Sequence, residues 1–275
     1  MVTTVTLNDG IEIPQIGFGV FQIPLEETDA AVSTALAEGY RLIDTAQGYQ
    51  NEEGVGRALA RSGLPREDIF VTTKLTNSAH GRDKTLRAFD DSMRKLGLDV
   101  LDLFLIHWPL PMYDEYVETW KAFEELRASG RVRSIGVSNF TIEHLQRLLD
   151  ETGTVPVLNQ VELHPRFPQA ALRAFHAQNG IITESWSPIG QGRGLLEDPV
   201  LVDLSKEKGK SPAQIVLRWH VQLGLVAIPK SVTPSRIAEN LAVFDFELTD
   251  EDMTRIAAME TGERLGPDPA TASFR

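Results

Sequence analysis

Short apolar runs alternate with longer amphipathic segments along most of this chain, and the alternation predicts repeated strand–helix units. The runs are rich in aliphatic and β-branched residues, as in strands that are buried on both faces. In the first run, Gly17 and Gly19 would allow another strand to approach closely. The predicted strands comprise residues 15–20, 41–46, 69–75, 101–107, 132–138, 158–163, 181–187 and 226–230.

Segments with helical periodicity separate these strands, so the sheet should be parallel. Eight units in 275 residues favour a closed barrel over an open sheet. We therefore predict an α/β fold, a (β/α)8 TIM barrel, in a single domain over residues 1–275. An irregular tail should follow from residue 262. The predicted helices comprise residues 26–38, 52–61, 83–96, 114–128, 142–149, 169–178, 199–208, 212–223 and 234–243, with an additional C-terminal helix at 250–259.

A β-hairpin is predicted before the barrel. Alternating residues at 5–7 and 11–13 flank Asn8-Asp9-Gly10, and Asp-Gly between such segments is a strong hairpin signal. We expect this N-terminal hairpin to close the bottom of the barrel.

Composition narrows the classes of function. The net charge of -12 disfavours binding to nucleic acid or acidic membranes, and no apolar stretch is long enough to span a bilayer. The absence of cysteine excludes disulfides, thiolate metal sites and a cysteine nucleophile, and it fits a cytoplasmic protein. No metal site is predicted, because His164, His176 and His220 lack ligand spacing, and His80 and His144 are predicted at the surface.

Polar residues end three successive apolar runs. Asp44, Lys74 and His107 close the second, third and fourth strands, and Tyr49 follows on the loop after Asp44. In such barrels the chemistry lies at the carboxyl ends of the strands, so these side chains should meet at one rim. Asn51 is predicted to cap the next helix.

These four side chains suit carbonyl reduction by hydride. Lys74 beside Asp44 satisfies both charges, and an ammonium near Tyr49 should lower the pKa of the phenol. A neutral His107 can donate a hydrogen bond to a carbonyl oxygen as charge develops on it. Taken singly, each also has a structural explanation, as an ion pair, a core histidine or a surface tyrosine.

An anion site is a candidate between the last strand and its helix. Thr233 is predicted to cap that helix and Pro234 to begin it, while Lys230 and Arg236 add positive charge. An ordinary capped helix with surface charges would fit the same residues. No strand is followed by a Gly-x-Gly-x-x-Gly motif, so a Rossmann module is not indicated.

The chain resembles the aldo-keto reductase family over almost its whole length. Asp44, Tyr49, Lys74 and His107 match the catalytic tetrad of that family, and residues 39–56, 135–140 and 159–162 match its motifs. Residues 184–186 and 190–192 make it most similar to the bacterial 2,5-diketo-D-gluconate reductase branch.

The resemblance implies NADPH as the cofactor, with NADH possible but less favoured, and a monomer. It implies that Ser138, Asn139 and Gln160 contact the carboxamide and that Trp186 stacks on the nicotinamide. The substrate would meet Phe21, Tyr49, His107 and Trp108. The full set implied for the cofactor is Ser138, Asn139, Gln160, Trp186, Ser187, Lys230, Ser231, Val232, Thr233, Arg236, Glu239 and Asn240.

The sequence departs from the family pattern near the expected pocket. Thr76 stands where close relatives usually carry Trp, and Gln47 with Gly48 is more polar than the usual pair. The pocket is therefore expected to be wider or more polar. Tyr113 and the short C-terminal tail are further candidate walls.

The sequence thus predicts an NADPH-dependent oxidoreductase that reduces aldehydes or ketones, with Tyr49 as general acid. Small α-dicarbonyls such as methylglyoxal, or keto-sugar acids, are the expected substrates. One alternative is a catalytically silent NADPH-binding barrel with a regulatory or structural role. Another is a phosphate-binding isomerase or lyase, which would not need Tyr49.

Overall fold

A computed structural model describes residues 2–275 of the chain. It begins with the predicted hairpin, in which β1 (Thr4–Thr6) pairs antiparallel with β2 (Glu12–Pro14). Val5 lies opposite Ile13 in this pairing. The hairpin prediction is therefore confirmed, with a small shift of both strands.

Eight further strands form one parallel sheet, and each pairs with its neighbour in chain order. The predicted parallel order is confirmed. The strands are β3 (Phe18–Gly19), β4 (Leu42–Asp44), β5 (Phe70–Leu75), β6 (Leu101–Ile106), β7 (Val132–Ser138), β8 (Leu158–Glu162), β9 (Ile182–Trp186) and β10 (Val226–Ala227).

Hydrogen bonds between the first and last strands close the barrel. The amide of Gly17 donates to the carbonyl of Ala227 at 2.9 Å, and the amide of Ala227 donates to the carbonyl of Gln15 at 2.8 Å. Close approach here favours glycine, because a Cβ on Gly19 would lie only 3.1 Å from the carbonyl oxygen of Ile228. The predicted (β/α)8 barrel and its glycine contacts are confirmed.

The helices follow the predicted segments closely. The fourth begins at Tyr116, two residues later than predicted, because Asp114 has a left-handed backbone (φ 53°) that a right-handed helix excludes. Within residues 2–275, no helix combines the length and the apolar character needed to cross a membrane. The helices are α1 (Leu25–Glu38), α2 (Glu52–Arg61), α3 (Arg82–Leu96), α4 (Tyr116–Ala128), α5 (Ile142–Thr152), α6 (Ala170–Gln178), α7 (Pro199–Lys208), α8 (Pro212–Gln222), α9 (Pro234–Leu241) and α10 (Asp250–Ala257).

The hairpin packs against the lower half of the barrel interior. Its Leu7 and Ile13 are buried in one apolar cluster with side chains of the barrel strands, among them Leu42, Phe70 and Leu103. This packing closes the bottom as predicted, so access to the barrel interior is left to the opposite end.

Two histidines predicted at the surface are buried instead. His80 is 1% exposed, and burial together with Arg275 and Lys84 lowers its pKa to about 4. The ring of His144 accepts a hydrogen bond from the amide of Thr141 at 3.2 Å, as part of the capping box that begins α5. Both predictions were wrong because polar flanking residues do not reveal which side chains the fold covers.

Candidate active site

Asp44, Tyr49, Lys74 and His107 meet at the rim formed by the carboxyl ends of the strands. Asp44 is the last residue of β4, Lys74 lies near the end of β5, and His107 follows β6 directly. Tyr49 ends a short 3₁₀ turn, Gln47–Tyr49, after β4. The sequence placed all four side chains at this end of the barrel, and the structure brings them together.

Lys74 and Asp44 form a fully buried ion pair. The Nζ of Lys74 lies 2.6 Å from Oδ1 of Asp44 and donates to the carbonyl of Thr45 at 2.9 Å. Lys74 is 0% exposed. Burial lowers the pKa of Lys74, but Asp44 and Tyr49 together raise it by a larger amount. The net pKa is therefore raised, and the ammonium stays charged.

The third donor of Lys74 points at the phenol. Its Nζ lies 3.4 Å from the hydroxyl of Tyr49, and the tyrosine ring packs on Phe21 at 5.0 Å between ring centroids. Burial raises the pKa of Tyr49 by more than Lys74 lowers it. Lys74 therefore acts in the predicted direction, but the expectation of a lowered pKa was wrong for the free protein, because burial dominates. The phenol is held protonated.

His107 supplies a neutral imidazole beside Tyr49. The two rings meet edge to face, 5.7 Å between centroids. Burial, together with the nearby charge of Lys74, lowers the pKa of His107 to about 3. A neutral ring has one N–H donor, so the predicted hydrogen bond from His107 to a substrate oxygen stays a prediction.

Asn51 occupies the N-cap position of α2 as predicted, but its side chain ties the loops of this rim together and makes no cap. Its amide nitrogen donates to the carbonyls of Val20 and Ile23 at 2.9 and 3.0 Å, and its oxygen accepts from the hydroxyl of Thr45 at 3.0 Å. The prediction of a side-chain cap was wrong, because these partners from distant segments compete for the Asn51 side chain. Asn51 instead holds the loops after β3 and β4 in register.

The residues implied for the nicotinamide end adjoin these four side chains. The amide nitrogen of Gln160 donates to Oδ2 of Asp44 at 2.9 Å, and the Asn139 side chain donates to the carbonyl of His107 at 2.9 Å. The indole N–H of Trp186 donates to Asn139 at 2.7 Å, and the Ser138 hydroxyl lies 3.1 Å from the same amide. The Ser138 hydroxyl also donates to the backbone carbonyl of Gln160 at 2.9 Å, so one hydrogen-bonded network spans β4, β7, β8 and β9.

The residues implied for the phosphate lie at the start of α9. Lys230 and Arg236 are exposed, and neither forms a salt bridge within residues 2–275. Thr233 occupies the N-cap position but makes no side-chain cap, so that part of the prediction was wrong. The hydroxyl of Ser231 instead accepts from the amide of Thr233 at 3.1 Å. Val232 is 47% exposed beside them.

Two of the remaining implied cofactor residues, Glu239 and Ser187, already have hydrogen-bond partners in the protein, and the third, Asn240, is buried. Glu239 accepts a hydrogen bond from Ser211, and Asn240 is buried on the same helix. The hydroxyl of Ser187 accepts from the side chain of Gln191 at 2.6 Å.

The C-terminal tail covers part of the rim. Phe274 packs edge to face on Trp108, 5.1 Å between ring centroids, and Ala272 joins the same small apolar cluster. The hydroxyl of Tyr113 donates to the carbonyl of Ser273 at 2.9 Å. Sequence reasoning pointed to the tail but missed Phe274, because an aromatic residue in an irregular segment carries no periodic signal.

The two departures from the family pattern touch each other. The amide of Thr76 donates to Oε1 of Gln47 at 3.0 Å, and Nε2 of Gln47 donates to the carbonyl of Ala88 at 2.6 Å. Gln47 therefore fixes the loop that carries Tyr49 against the loop after β5.

Sequence reasoning included Glu162 and Glu184 in family motifs but gave neither buried carboxyl group a role. Glu162 accepts from the amides of Leu265 and Gly266 in the tail, at 2.5 and 2.9 Å. Glu184 lies inside the barrel beside Gln160, 2.9 Å from its amide nitrogen. A carboxylate within an apolar strand was the signal that could have singled out both residues.

A parallel barrel that buries a lysine–aspartate pair beside a phenol and a neutral imidazole is typical of a barrel oxidoreductase. Residues 15–261 match the aldo/keto reductase family, and the chain belongs to that family. The resemblance noted from the sequence is thereby confirmed.

Close relatives span essentially the whole chain. An aldo-keto reductase of Mycolicibacterium smegmatis is 59% identical over 274 residues, which cover 100% of this chain and 99% of the relative. Methylglyoxal reductase DkgA of Escherichia coli K12 is 54% identical over 268 residues, 97% of each chain. The crystal structure of apo Gox0644 superposes with a TM-score of 0.96 at 52% identity, covering 100% of both chains.

Proposed function

We propose that this protein reduces aldehydes and ketones to alcohols with NADPH, and that Tyr49 is the general acid. The observation that carries the proposal is the buried ammonium of Lys74, which contacts both Asp44 and the Tyr49 hydroxyl. Relatives support it, since one is named a methylglyoxal reductase and a mutant of Gox0644 was crystallised in complex with NADPH.

The residues present fit NADPH. Lys230 and Arg236 are exposed cations suited to a phosphate, while Gln160 and Asn139 carry the polar groups that a carboxamide needs. Trp186 is half-buried at the end of β9, where its ring can stack on a planar group. When bound, NADPH supplies the hydride. The cations of Lys230 and Arg236 favour NADPH over NADH, because only NADPH carries a 2′-phosphate.

The protein's own residues handle the proton. Tyr49 gives its proton to the carbonyl oxygen as negative charge develops there, and Lys74 stabilises the phenolate that remains. Asp44 holds the lysine in place and accepts one of its hydrogen bonds. His107, neutral at physiological pH, donates to the same substrate oxygen and orients it.

Small polar carbonyl compounds are the substrates that we propose, with methylglyoxal-like α-dicarbonyls and keto-sugar acids first. Phe21 packs on Tyr49 and Trp108 packs on Phe274, so both offer apolar surface at the rim, whereas Thr76 on the loop after β5 carries a small polar side chain. A site with one aromatic wall missing discriminates poorly against polar substituents. The cytoplasmic location and the monomeric state stay predictions from the sequence.

The test is NADPH oxidation with a panel of α-dicarbonyls and keto-sugar acids, in the wild type and in Tyr49→Phe. Removal of the acid should lower turnover by about 10²–10⁴-fold and leave NADPH affinity unchanged. Tyr116→Phe is the matched control, because Tyr116 packs on Phe140 and on His144 of α5, outside the barrel.

Each outcome points to a different conclusion. Turnover that survives in Tyr49→Phe would remove Tyr49 from the acid role. A wild type that binds NADPH but reduces no carbonyl would favour the catalytically silent barrel. A wild type that does not bind NADPH would overturn the cofactor assignment.

A further inference from the structure

One amide nitrogen joins two buried carboxyl groups in the barrel interior. Nε2 of Gln160 lies 2.9 Å from Oδ2 of Asp44 and 2.9 Å from Oε2 of Glu184. Glu184 sits on β9 directly opposite Gln160 on β8. All three side chains are 0–1% exposed, so water does not compete for these hydrogen bonds.

These two contacts fix the orientation of the Gln160 amide. A side-chain amide has two N–H donors on one atom and an acceptor on the other. Because both donors of Gln160 are taken, only its carbonyl oxygen is left for a further partner. Turning the amide over would place that oxygen against Oδ2 of the Asp44 carboxylate, which cannot donate, so the turn costs that hydrogen bond. Asp44 alone would engage only one of the donors.

Glu184 carries no other evident role among the described residues. Its Oε1 is buried without a hydrogen-bond partner in residues 2–275. The pKa of Glu184 is raised to about 8. Burial and the charge of Asp44 raise it, whereas Gln160 and Lys74 lower it, so the carboxyl is mostly neutral at pH 7. A neutral carboxyl still accepts from Gln160 through Oε2, and glutamine would match it in size and charge.

We propose that Glu184 is a positioning residue, which holds the Gln160 amide so that its carbonyl oxygen accepts from the carboxamide N–H of the nicotinamide. The proposal rests on the proposed function, since the ligand is the NADPH assigned there. Glu184 acts through Gln160 and does not touch the reacting atoms.

The test compares two ligands in Glu184→Leu and Glu184→Gln by calorimetric titration of the full chain. NADP⁺ reaches both ends of the site, whereas adenosine 2′,5′-bisphosphate lacks the nicotinamide. Glu184→Leu should weaken the binding of NADP⁺ by about tenfold, because the Gln160–Glu184 hydrogen bond is lost and the bond from Gln160 to the carboxamide is misdirected. The binding of the bisphosphate should be unaffected. Glu184→Gln, which can still accept from Gln160, should keep NADP⁺ affinity within about threefold.

A double-mutant cycle separates positioning from general damage. In a Gln160→Leu background, Glu184→Leu should cost no further NADP⁺ affinity, because the amide that it positions is gone. Additive losses would overturn the proposal. So would a Glu184→Leu variant that binds NADP⁺ like the wild type, or one that loses the bisphosphate equally.

Failure of the proposed function gives a different result. A wild type that binds neither ligand would overturn the cofactor assignment itself, whatever the variants do. If Glu184→Leu does not fold, Glu184→Asp makes the same test, because a side chain one methylene shorter cannot span the 2.9 Å contact to Gln160. Unchanged NADP⁺ affinity in that variant would equally contradict the proposal.

Discussion

Asp44 and Asp102 are both buried aspartates on barrel strands, 1% and 2% exposed, but they lie at opposite ends of the barrel. Asp102, near the start of β6, accepts from Arg66, from Arg133 at 2.9 Å and from the amide of Val71 at 2.9 Å. Its arginine partners are 36% and 46% exposed at the side chain. These charges remain in contact with solvent and hold the lower edge of the barrel together.

At the rim the cation is buried as well. Lys74 has a side-chain exposure of 0% and directs one donor at Tyr49. Burying both members of an ion pair carries a desolvation cost that good geometry only partly offsets. A buried ion pair alone therefore does not mark an active site. Our proposal for the active site rests instead on a buried cation with a phenol and a neutral imidazole beside it.

The strongest test of this contrast replaces each aspartate with asparagine. Asp44→Asn should lower turnover by about 10²-fold or more, because Lys74 loses its counter-ion and its position beside Tyr49. Asp102→Asn should leave turnover close to that of the wild type and lower the free energy of unfolding by about 1–2 kcal/mol. Steady-state NADPH oxidation and urea unfolding of both variants measure the two effects.

The contrast would fail in either of two ways. If folded Asp102→Asn lost turnover as strongly as Asp44→Asn, the lower cluster would be coupled to the chemistry. If Asp44→Asn kept its turnover, the rim pair would be structural, like the lower one.

The rim residues could be predicted from the sequence because of how a parallel barrel is built. All strand ends of one kind meet at one rim, so a polar residue that ends an apolar run has a known location. Asp44, Lys74 and His107 each follow that rule. The alternation of apolar runs predicted the order of the strands in the same way.

Side-chain partners across the barrel could not be predicted. Asn51 reads as a helix cap, yet its partners lie about 30 residues earlier, at Val20 and Ile23. The direction of the pKa shift of Tyr49 depends on burial depth, which is a tertiary property. Glu184 contacts Gln160, and Phe274 packs on Trp108. The two residues of each pair are far apart in the sequence, so no local pattern predicts either contact.

Acid should destabilise the protein through the buried imidazole of His107 at the rim. The folded state lowers the pKa of His107 to about 3 from an ordinary 6.5, so it excludes a proton that the unfolded chain binds. The associated stability is complete above about pH 6.5 and is lost as the pH falls toward the folded pKa.

Between pH 7 and pH 5, His107→Asn should therefore lose about 1–2 kcal/mol less stability than the wild type. Urea unfolding at both pH values measures the difference. The slope should not vanish, because burial also lowers the pKa values of His176 and His220 to about 4. Equal losses in wild type and variant would mean that His107 takes up protons in the folded state.

The segments that cover the two ends of the barrel also differ. This difference leads to the prediction with the smallest expected effect. The hairpin buries Ile13 completely at the bottom, whereas the tail leaves Phe274 45% exposed against Trp108. Because its ring is nearly half exposed, Phe274 should contribute more to substrate contact than to the stability of the fold. Phe274→Ala should raise the KM for carbonyl substrates by about three- to tenfold, with kcat and the melting temperature nearly unchanged.

Met112→Ala is the matched control, because Met112 is 61% exposed on the loop after β6 and belongs to none of the apolar clusters of residues 2–275. Its KM should stay at the wild-type value. A KM that rises equally in both variants would indicate a general loosening of the rim. If Phe274→Ala left KM unchanged but lowered the melting temperature, the tail would serve the fold as the hairpin does, and the contrast between the coverings would be wrong.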